Sequence, residues 1–444
     1  MITVIRMPVR GRSAPERARA RLMSVGAALA TFLLCAAVTL VSFRIDTPDD
    51  RLWMFTEREP RLVVALTLAL LVVPAAVFTY QASRLATATR ERRLAALRLA
   101  GATPYETRLI GAYEAGRQAL LGGSLGGVAH LAVNVVLWWS LDGVVPLLSP
   151  VWTLAALAAV VLAEVWSGLA AGRHVVASPL GLVRRARLRG PRAVDLLLVA
   201  LGVALLAAGL IGKGRFPVLG KYGAALSMTA GMVLLLFGLV LAATWLIRAV
   251  ARRAGRVTAA PETLLAARIV QADPRAWARA LTVVGLTVFF GSGIGAQQGN
   301  VLLRTGLQPP YLTAYLLIDL ALLLALVTSA AALVVHQAEE LLDHRRSFAA
   351  LAASGVPATA LGRVLTRQAL IAASPVCVVA AVAGAGLVIL TGADAPGWSP
   401  GAFAFTAVRA AVMAGIGVLA AVLVARASRR ILREALRPEE LRTG

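Results

Sequence analysis

The chain is poor in what a soluble enzyme or a nucleic-acid-binding protein displays at its working surface. Charged residues make up 15% of its 444 residues, where soluble domains carry about a quarter. There are two cysteines, Cys35 and Cys377, both inside apolar runs, which gives no disulfide framework and no cysteine metal spacing. The four histidines, His130, His174, His336 and His344, are scattered, so no metal site is expected. Lysine is almost missing: only Lys213 and Lys221 occur. Neither is followed by Ser or Thr, so the Gly-x-x-x-x-Gly-Lys-Ser/Thr loop that cradles nucleotide phosphates is absent. No catalytic residue is assigned. A membrane enzyme acting on lipid-linked substrates needs clustered acids or histidines near one face. The first outer loop offers Asp46, Asp49, Asp50, Glu57 and Glu59 and no histidine.

What the chain has in abundance is apolar surface. Fully 59% of the residues are apolar before its 39 glycines are counted, and the mean hydropathy is +0.78. The fold class this implies is all-α: a polytopic transmembrane helical protein. A span needs about 20 mostly apolar residues. Ten candidates follow, at 22–43, 62–82, 109–139, 152–172, 193–212, 224–247, 280–299, 311–335, 364–391 and 403–425. With a cytoplasmic N-terminus, the inside segments hold 35 Lys and Arg and the outside segments 8, with Arg117 and Arg409 inside spans. That asymmetry predicts a multi-pass protein of the cell membrane with both termini cytoplasmic. It also accounts for the net charge of +23 without nucleic acid. The basic N-terminus and first apolar stretch lack a small-x-small cleavage site, so the first span is expected to be retained.

An internal repeat lies beneath the spans. Arg92-Arg93-Leu94-Ala95-Ala96-Leu97 leads through Gly101 to Pro104 before the third span. Arg346-Ser347-Phe348-Ala349-Ala350-Leu351 leads through Gly355 to Pro357 before the ninth. Ala96-Leu97 matches Ala350-Leu351, and Gly101 matches Gly355, at one offset of 254. Spans two to four and eight to ten are thereby equivalent halves, and the repeat is parallel. In the first copy a basic amphipathic helix is predicted over 84–100, ended by Gly101 in the left-handed conformation. Thr103-Pro104-Tyr105-Glu106 reads as a capping box with proline at the first helical position. A helix lying on anionic lipid headgroups explains one such copy; two at corresponding places favour the docking of a paired partner.

At these residues the sequence resembles the FtsX-like permease family of ABC transporters, whose pattern is a basic run, a leucine stretch ending in Leu-x-x-x-Gly-Ala-Thr, and a long span with an early acidic residue. Arg92-Arg93, Leu97 to Thr103 and Glu114 match it; the second copy matches through Arg345-Arg346, Leu351 and Gly355, with Gln368 for Glu114. Ala267 to Arg275 is similar to the amphipathic segment that leads into the membrane in this family. The layout of ten spans and two FtsX-like cores resembles the BceB-type members. Here, though, the outer segments 44–61 and 300–310 are too short for an extracytoplasmic domain.

The resemblance implies an N-tail, first span and short outer loop at 1–61, a first core at 62–172, a linker with spans five and six at 173–261, a lead-in helix and span seven at 262–310, a second core at 311–425 and a basic tail at 426–444. It also implies that the surface helices at 84–100 and 337–353 are coupling helices. Arg92, Arg93, Leu97, Gly101, Arg345, Arg346, Leu351 and Gly355 would then seat two ABC-type ATP-binding subunits per chain. ATP would be bound by those partners and no cofactor by this chain. The substrate class implied is amphipathic: a lipid, a lipoprotein or a peptide.

Charge inside a span is costly and needs a partner. Glu114 and Arg117 lie one turn apart on span three, and Arg117 and Glu164 lie at matching depths, so they are expected to meet. Asp319 and Arg409 are likewise at similar depth. Structural glue is one reading; the other is a pair that breaks when the halves rearrange. Pro74 and Pro375 are predicted to kink their spans. The competing functions are an ion-driven secondary carrier using Asp319 or Glu164, and a scaffold that anchors an ATPase without transporting anything.

Overall fold

The computed structural model describes residues 14–43, 61, 64–65, 68–69, 71–84, 101, 103–140, 143, 145–176, 194–211, 223–306, 309–343, 345–392 and 398–435. Among these, regular structure is helical throughout, as a bilayer demands of a chain whose backbone must satisfy its own hydrogen bonds. The helices are α1 (Ala14–Val41), α2 (Val72–Arg84), α3 (Pro104–Ser140), α4 (Pro150–Val176), α5 (Val194–Ile211) and α6 (Gly223–Val257). They continue as α7 (Pro261–Ala272), α8 (Pro274–Thr305), α9 (Pro309–Asp343), α10 (Arg345–Ala353), α11 (Ala358–Gly392) and α12 (Pro400–Ala435). Six of them begin on proline, whose missing N–H has no partner to lose in a first turn.

Among the described residues, eight helices are long and apolar enough to cross a membrane: α1, α3, α4, α6, α8, α9, α11 and α12. The protein is a multi-pass membrane protein. Of the expected spans at 62–82 and 193–212, the described residues include α2 and the apolar stretch Leu197–Gly209 of α5. Pro74 falls in the first turn of α2, where proline breaks no helical bond, so it needs no kink; Pro375 lies inside α11.

The chain divides into two compact units, one of Met1–Ala186 with Leu307–Val335 and one of Arg187–Gly306 with His336–Gly444. The stretch 311–335, expected in the second core, belongs to the first unit by this division. In the first unit α1 packs on α2, α3 and α4, and α3 packs on α4. Its buried contacts are small: Ala27, Ala30, Ala75 and Ala119 with Val160 in one cluster, Cys35 with Leu148 and Ala156 in another. Gly122 and Gly126 of α3 lie against the backbone of Ser24 and Ala28, where any Cβ would run into a carbonyl.

In the second unit α8 is the central helix, with 83% of its apolar window buried, and α6, α11 and α12 pack around it. Trp277, Leu281, Val283 and Val284 are fully enclosed along it. Gly384 of α11 meets the Phe289 carbonyl and Gly417 of α12 meets Val288 and Cys377. The expected lead-in helix is α7, which buries Ala266, Ala267 and Val270. Asp273 turns the chain into α8 and accepts a hydrogen bond from the Ala276 N–H at 3.0 Å.

Among the described residues each unit holds a triad of mutually packed helices of corresponding order, α1–α3–α4 in the first and α8–α11–α12 in the second. In both, the last member starts at a Ser–Pro pair, Ser149-Pro150 or Ser399-Pro400. Large apolar side chains such as Leu125, Leu162, Trp166, Val382 and Val408 are exposed, as lipid-facing positions are. Trp138, Trp139 and Trp152 flank the α3–α4 turn, and Trp398 lies on Phe403 at 5.3 Å beside the α11–α12 turn, consistent with aromatic belts.

Candidate functional site

The two glycine breaks can be built residue by residue. At the first, Gly101 has φ +98° and is exposed, with no atom within 4 Å of where a Cβ would stand. Glycine is there for its backbone and not for space. Two residues on, the capping box is formed. The Thr103 N–H donates to Glu106 Oε2 at 2.8 Å, the Thr103 hydroxyl donates to the same oxygen at 3.0 Å, and the Glu106 N–H donates to Thr103 Oγ1 at 3.2 Å. These bonds, the backbone one foremost, hold the Glu106 carboxyl below its ordinary range. The helix predicted over 84–100, with Arg92, Arg93 and Leu97, lies outside the described residues apart from Arg84.

The second break is complete. Gly355 has φ +92° and again open space beside it. The Val356 N–H donates to the Leu351 carbonyl at 3.1 Å and the Gly355 N–H to the Ala352 carbonyl at 3.0 Å. That pair of bonds is a Schellman ending, and its expected apolar contact is present. Leu351 and Val356 both pack on the buried cluster of Leu341, Phe348, Leu361 and Leu365. So α10 is a short helix anchored by Phe348 that turns Ser347, Ala350, Ser354 and Gly355 to the outside. Arg345 and Arg346 open this helix.

Among the intramembrane charges, Glu114 finds a partner that the sequence did not indicate. Glu114 pairs with Arg19 of α1 at 3.8 Å, both side chains largely buried. Glu164 is buried on α4, and the Thr79 hydroxyl of α2 donates to the Ala75 carbonyl of its own helix at 2.9 Å. No ion pair joins Arg117 to Glu164, so the pairing expected from equal depth is not formed. Asp319 belongs to the first unit and Arg409 to the second, where its side chain packs against Gly295 of α8.

Several polar contacts had no sequence signal. Ser24 donates to Gln118 Oε1 at 3.0 Å, and Thr39 lies 3.2 Å from His130 Nε2, so α1 and α3 are stitched at two levels. Asn134 accepts from the Leu148 N–H at 2.9 Å and donates to the Pro146 carbonyl at 3.1 Å, bracing the α3–α4 turn. In the second unit Arg363 reaches Glu262 of α7 at 2.7 Å. Arg429 binds back onto Thr366 Oγ1 at 2.7 Å and the Gly362 carbonyl at 3.2 Å, so α12 remains helical well past 425. His336 stacks edge-on against Trp277 at 4.9 Å and lies 3.8 Å from Glu340. Arg19 and Arg429 read as loop arginines in the sequence, because nothing local marks a basic residue just beyond an apolar run as part of the helix.

Among the described residues no three His, Cys, Asp or Glu side chains gather where they could hold a metal ion. What the site offers is two exposed glycines of positive φ, each leading into a long spanning helix. No protein-family model matches the sequence, and no curated protein matches it.

Proposed function

We propose that this chain is the membrane-spanning permease subunit of an ABC-type complex, with two FtsX-like cores in ten spans and both termini in the cytoplasm of the cell membrane. Separate ATP-binding subunits, two per chain, dock on the surface helices before Gly101 and Gly355, through Arg92, Arg93 and Leu97 at one and Arg345, Arg346 and Leu351 at the other. Their nucleotide-driven closure moves the two cores and shifts an amphipathic substrate (a lipid, lipoprotein or peptide) or passes a signal across the membrane.

The observation that carries this reading is the doubled break. Two exposed glycines 254 residues apart both have φ above +90°, and each precedes a helix of more than thirty residues. Each of those helices is in turn packed in a triad whose last member starts at Ser–Pro. A lone surface helix needs no second copy. A pair of identical ATPases does, because each must push on an equivalent lever.

The test is affinity purification of the tagged chain from native membranes in mild detergent, followed by mass spectrometry and an ATPase assay. An ATP-binding subunit near two per chain is expected, lost in Arg92→Glu/Arg93→Glu and in Arg345→Glu/Arg346→Glu variants that remain monodisperse. A chain that purifies alone, with no ATPase activity, overturns the proposal and favours the ion-driven carrier.

A further inference from the structure

We propose that an arginine ladder at the end of α6, completed by Arg268 of α7, binds the headgroup of one anionic phospholipid. Arg248, Arg252 and Arg256 recur at every fourth residue, so they stand one above another on a single face of α6. Arg252, Arg256 and Arg268 are exposed and Arg248 is half-buried. Among the described residues none of the four has a hydrogen-bond or ion-pair partner. Like charges four residues apart on a helix repel one another. The helix dipole favours a cation in the last turn, where Arg256 stands, but does not account for Arg248 two turns earlier. Nor does the chain supply an acid nearby. Residues 196–261 contain no Asp or Glu, Glu262 is bound to Arg363, and Asp273 caps α8. The ladder is suited to an anion from outside the chain.

Arg268 joins the ladder through the packing of α7 on α6. Gln271 donates to the Ala251 carbonyl at 2.9 Å, and a Cβ on Gly255 would stand 3.6 Å from Ala267. The two helices are therefore antiparallel, in contact along Ala251 and Gly255 on one and Ala267 and Gln271 on the other. In antiparallel right-handed helices the residue after each contact position turns to the same side of the pair. Arg252 and Arg256 follow Ala251 and Gly255, and Arg268 follows Ala267, so the three share one side, with Arg268 level with Arg256. The same face of α6 decides what kind of anion it meets. Ala230–Val257 is long and apolar enough to span a membrane. Toward its end this face passes from exposed Leu241 to exposed Trp245 and then to Arg248, within about 10 Å. Apolar, then aromatic, then basic is the order of a bilayer from acyl chains to headgroups. Arg252 and Arg256 lie farther out, and their long side chains reach back toward the phosphates. Clustered arginines at that level select a negatively charged lipid, whereas an acidic protein surface would have no use for the apolar end of the face. This site does not rest on the chain being a permease.

The test uses the full chain in vesicles of mixed phosphatidylglycerol and phosphatidylcholine, doped with a phosphatidylglycerol carrying a photoactivatable diazirine near the ester end of one acyl chain. Adducts mapped by mass spectrometry are expected to concentrate on 241–249, and unlabelled phosphatidylglycerol should compete better than phosphatidylcholine. Arg252→Gln, Arg256→Gln and Arg268→Gln should each weaken that preference roughly fivefold. Arg367→Gln and Arg426→Gln, at exposed arginines of other helices, should leave it unchanged. An equal loss in these two variants means that the lipid answers to the general positive field and not to the ladder, which overturns the proposal. Label no denser on 241–249 than at exposed Leu162 and Val382, or equal competition by the two lipids, overturns it too; the wild-type map decides this even if a variant fails to fold. Protein–protein crosslinks in place of lipid adducts, from a photoreactive residue at position 252 in native membranes, overturn it as well.

Discussion

The triads α1–α3–α4 and α8–α11–α12 pack helices in the same sequence order, yet they are held by different means. The first is fastened by polar side chains that cross between helices: Arg19 to Glu114, Ser24 to Gln118 and Thr39 to His130. The second is fastened by enclosure. Its central helix α8 is almost entirely covered, glycines bring backbones together, and the polar contacts sit at the base, where Arg363 meets Glu262 and Arg429 meets Gly362 and Thr366. Helices in lipid gain nothing from hiding apolar side chains from water, so close packing and hydrogen bonding are the two sources of association left. Each unit relies mainly on one of them.

The comparison can be broken from both sides. The largest effect is expected from removing close approach. Gly384→Leu in the second triad and Gly126→Leu in the first each drive a side chain into a backbone carbonyl and should destabilise by about 3 kcal/mol or more. Thermal unfolding in detergent reads this, and an unchanged midpoint for Gly384→Leu would mean the second unit is not held by enclosure.

Next comes the buried ion pair. Glu114→Ala strands Arg19 at a largely buried site and should destabilise by about 2–3 kcal/mol, whereas Glu114→Gln, which keeps an acceptor, should destabilise less. If α1–α3 association in a split-chain reconstitution is indifferent to both changes, polar stitching does not hold the first triad.

Smaller effects separate the two breaks. Gly355→Ala and Gly101→Ala each force an ordinary residue to a strongly positive φ, at about 1–2 kcal/mol. Gly355 should be the more sensitive, because its Schellman bonds place Leu351 and Val356 on a buried cluster. Chemical unfolding of the two variants side by side ranks them.

The smallest effect is a titration. Glu106 has a carboxyl held below its ordinary range by Thr103, so the capping box stabilises the start of α3 at neutral pH and down to the ordinary carboxylate range, and that stabilisation is lost as pH falls through the depressed value. Amide protection at 105–108, taken relative to the intrinsic exchange rate at each pH, should therefore fall on acidification in the wild type and show no such step in Glu106→Gln.

Much of this was legible along the chain. Gly101, Thr103, Pro104 and Glu106 announce a helix stop and a capped restart because each requirement is local: a positive φ, an N-cap oxygen, a proline at the first position, an acid three residues on. Gly355 and Pro357 announce the second break for the same reason. The repeated Ser–Pro starts at 149 and 399 were equally readable, being two-residue signals. Partners of charges were not. Equal depth placed Arg117 opposite Glu164, but depth says nothing about which face of a helix meets which neighbour. Rotation about the helix axis gave Glu114 to Arg19 instead.

The division follows from the range of the interactions. Apolar run length, proline and glycine act within a few residues, so the sequence by itself determined that this is an all-helical multi-pass membrane protein and where its sharpest breaks fall. Which helices become neighbours depends on the fit of small faces such as Gly122 and Gly126 on Ser24 and Ala28. It depends also on side chains more than ninety residues apart, as with Ser24 and Gln118 or Glu262 and Arg363. Only the tertiary structure could decide those, because a face has no partner until another helix is laid against it.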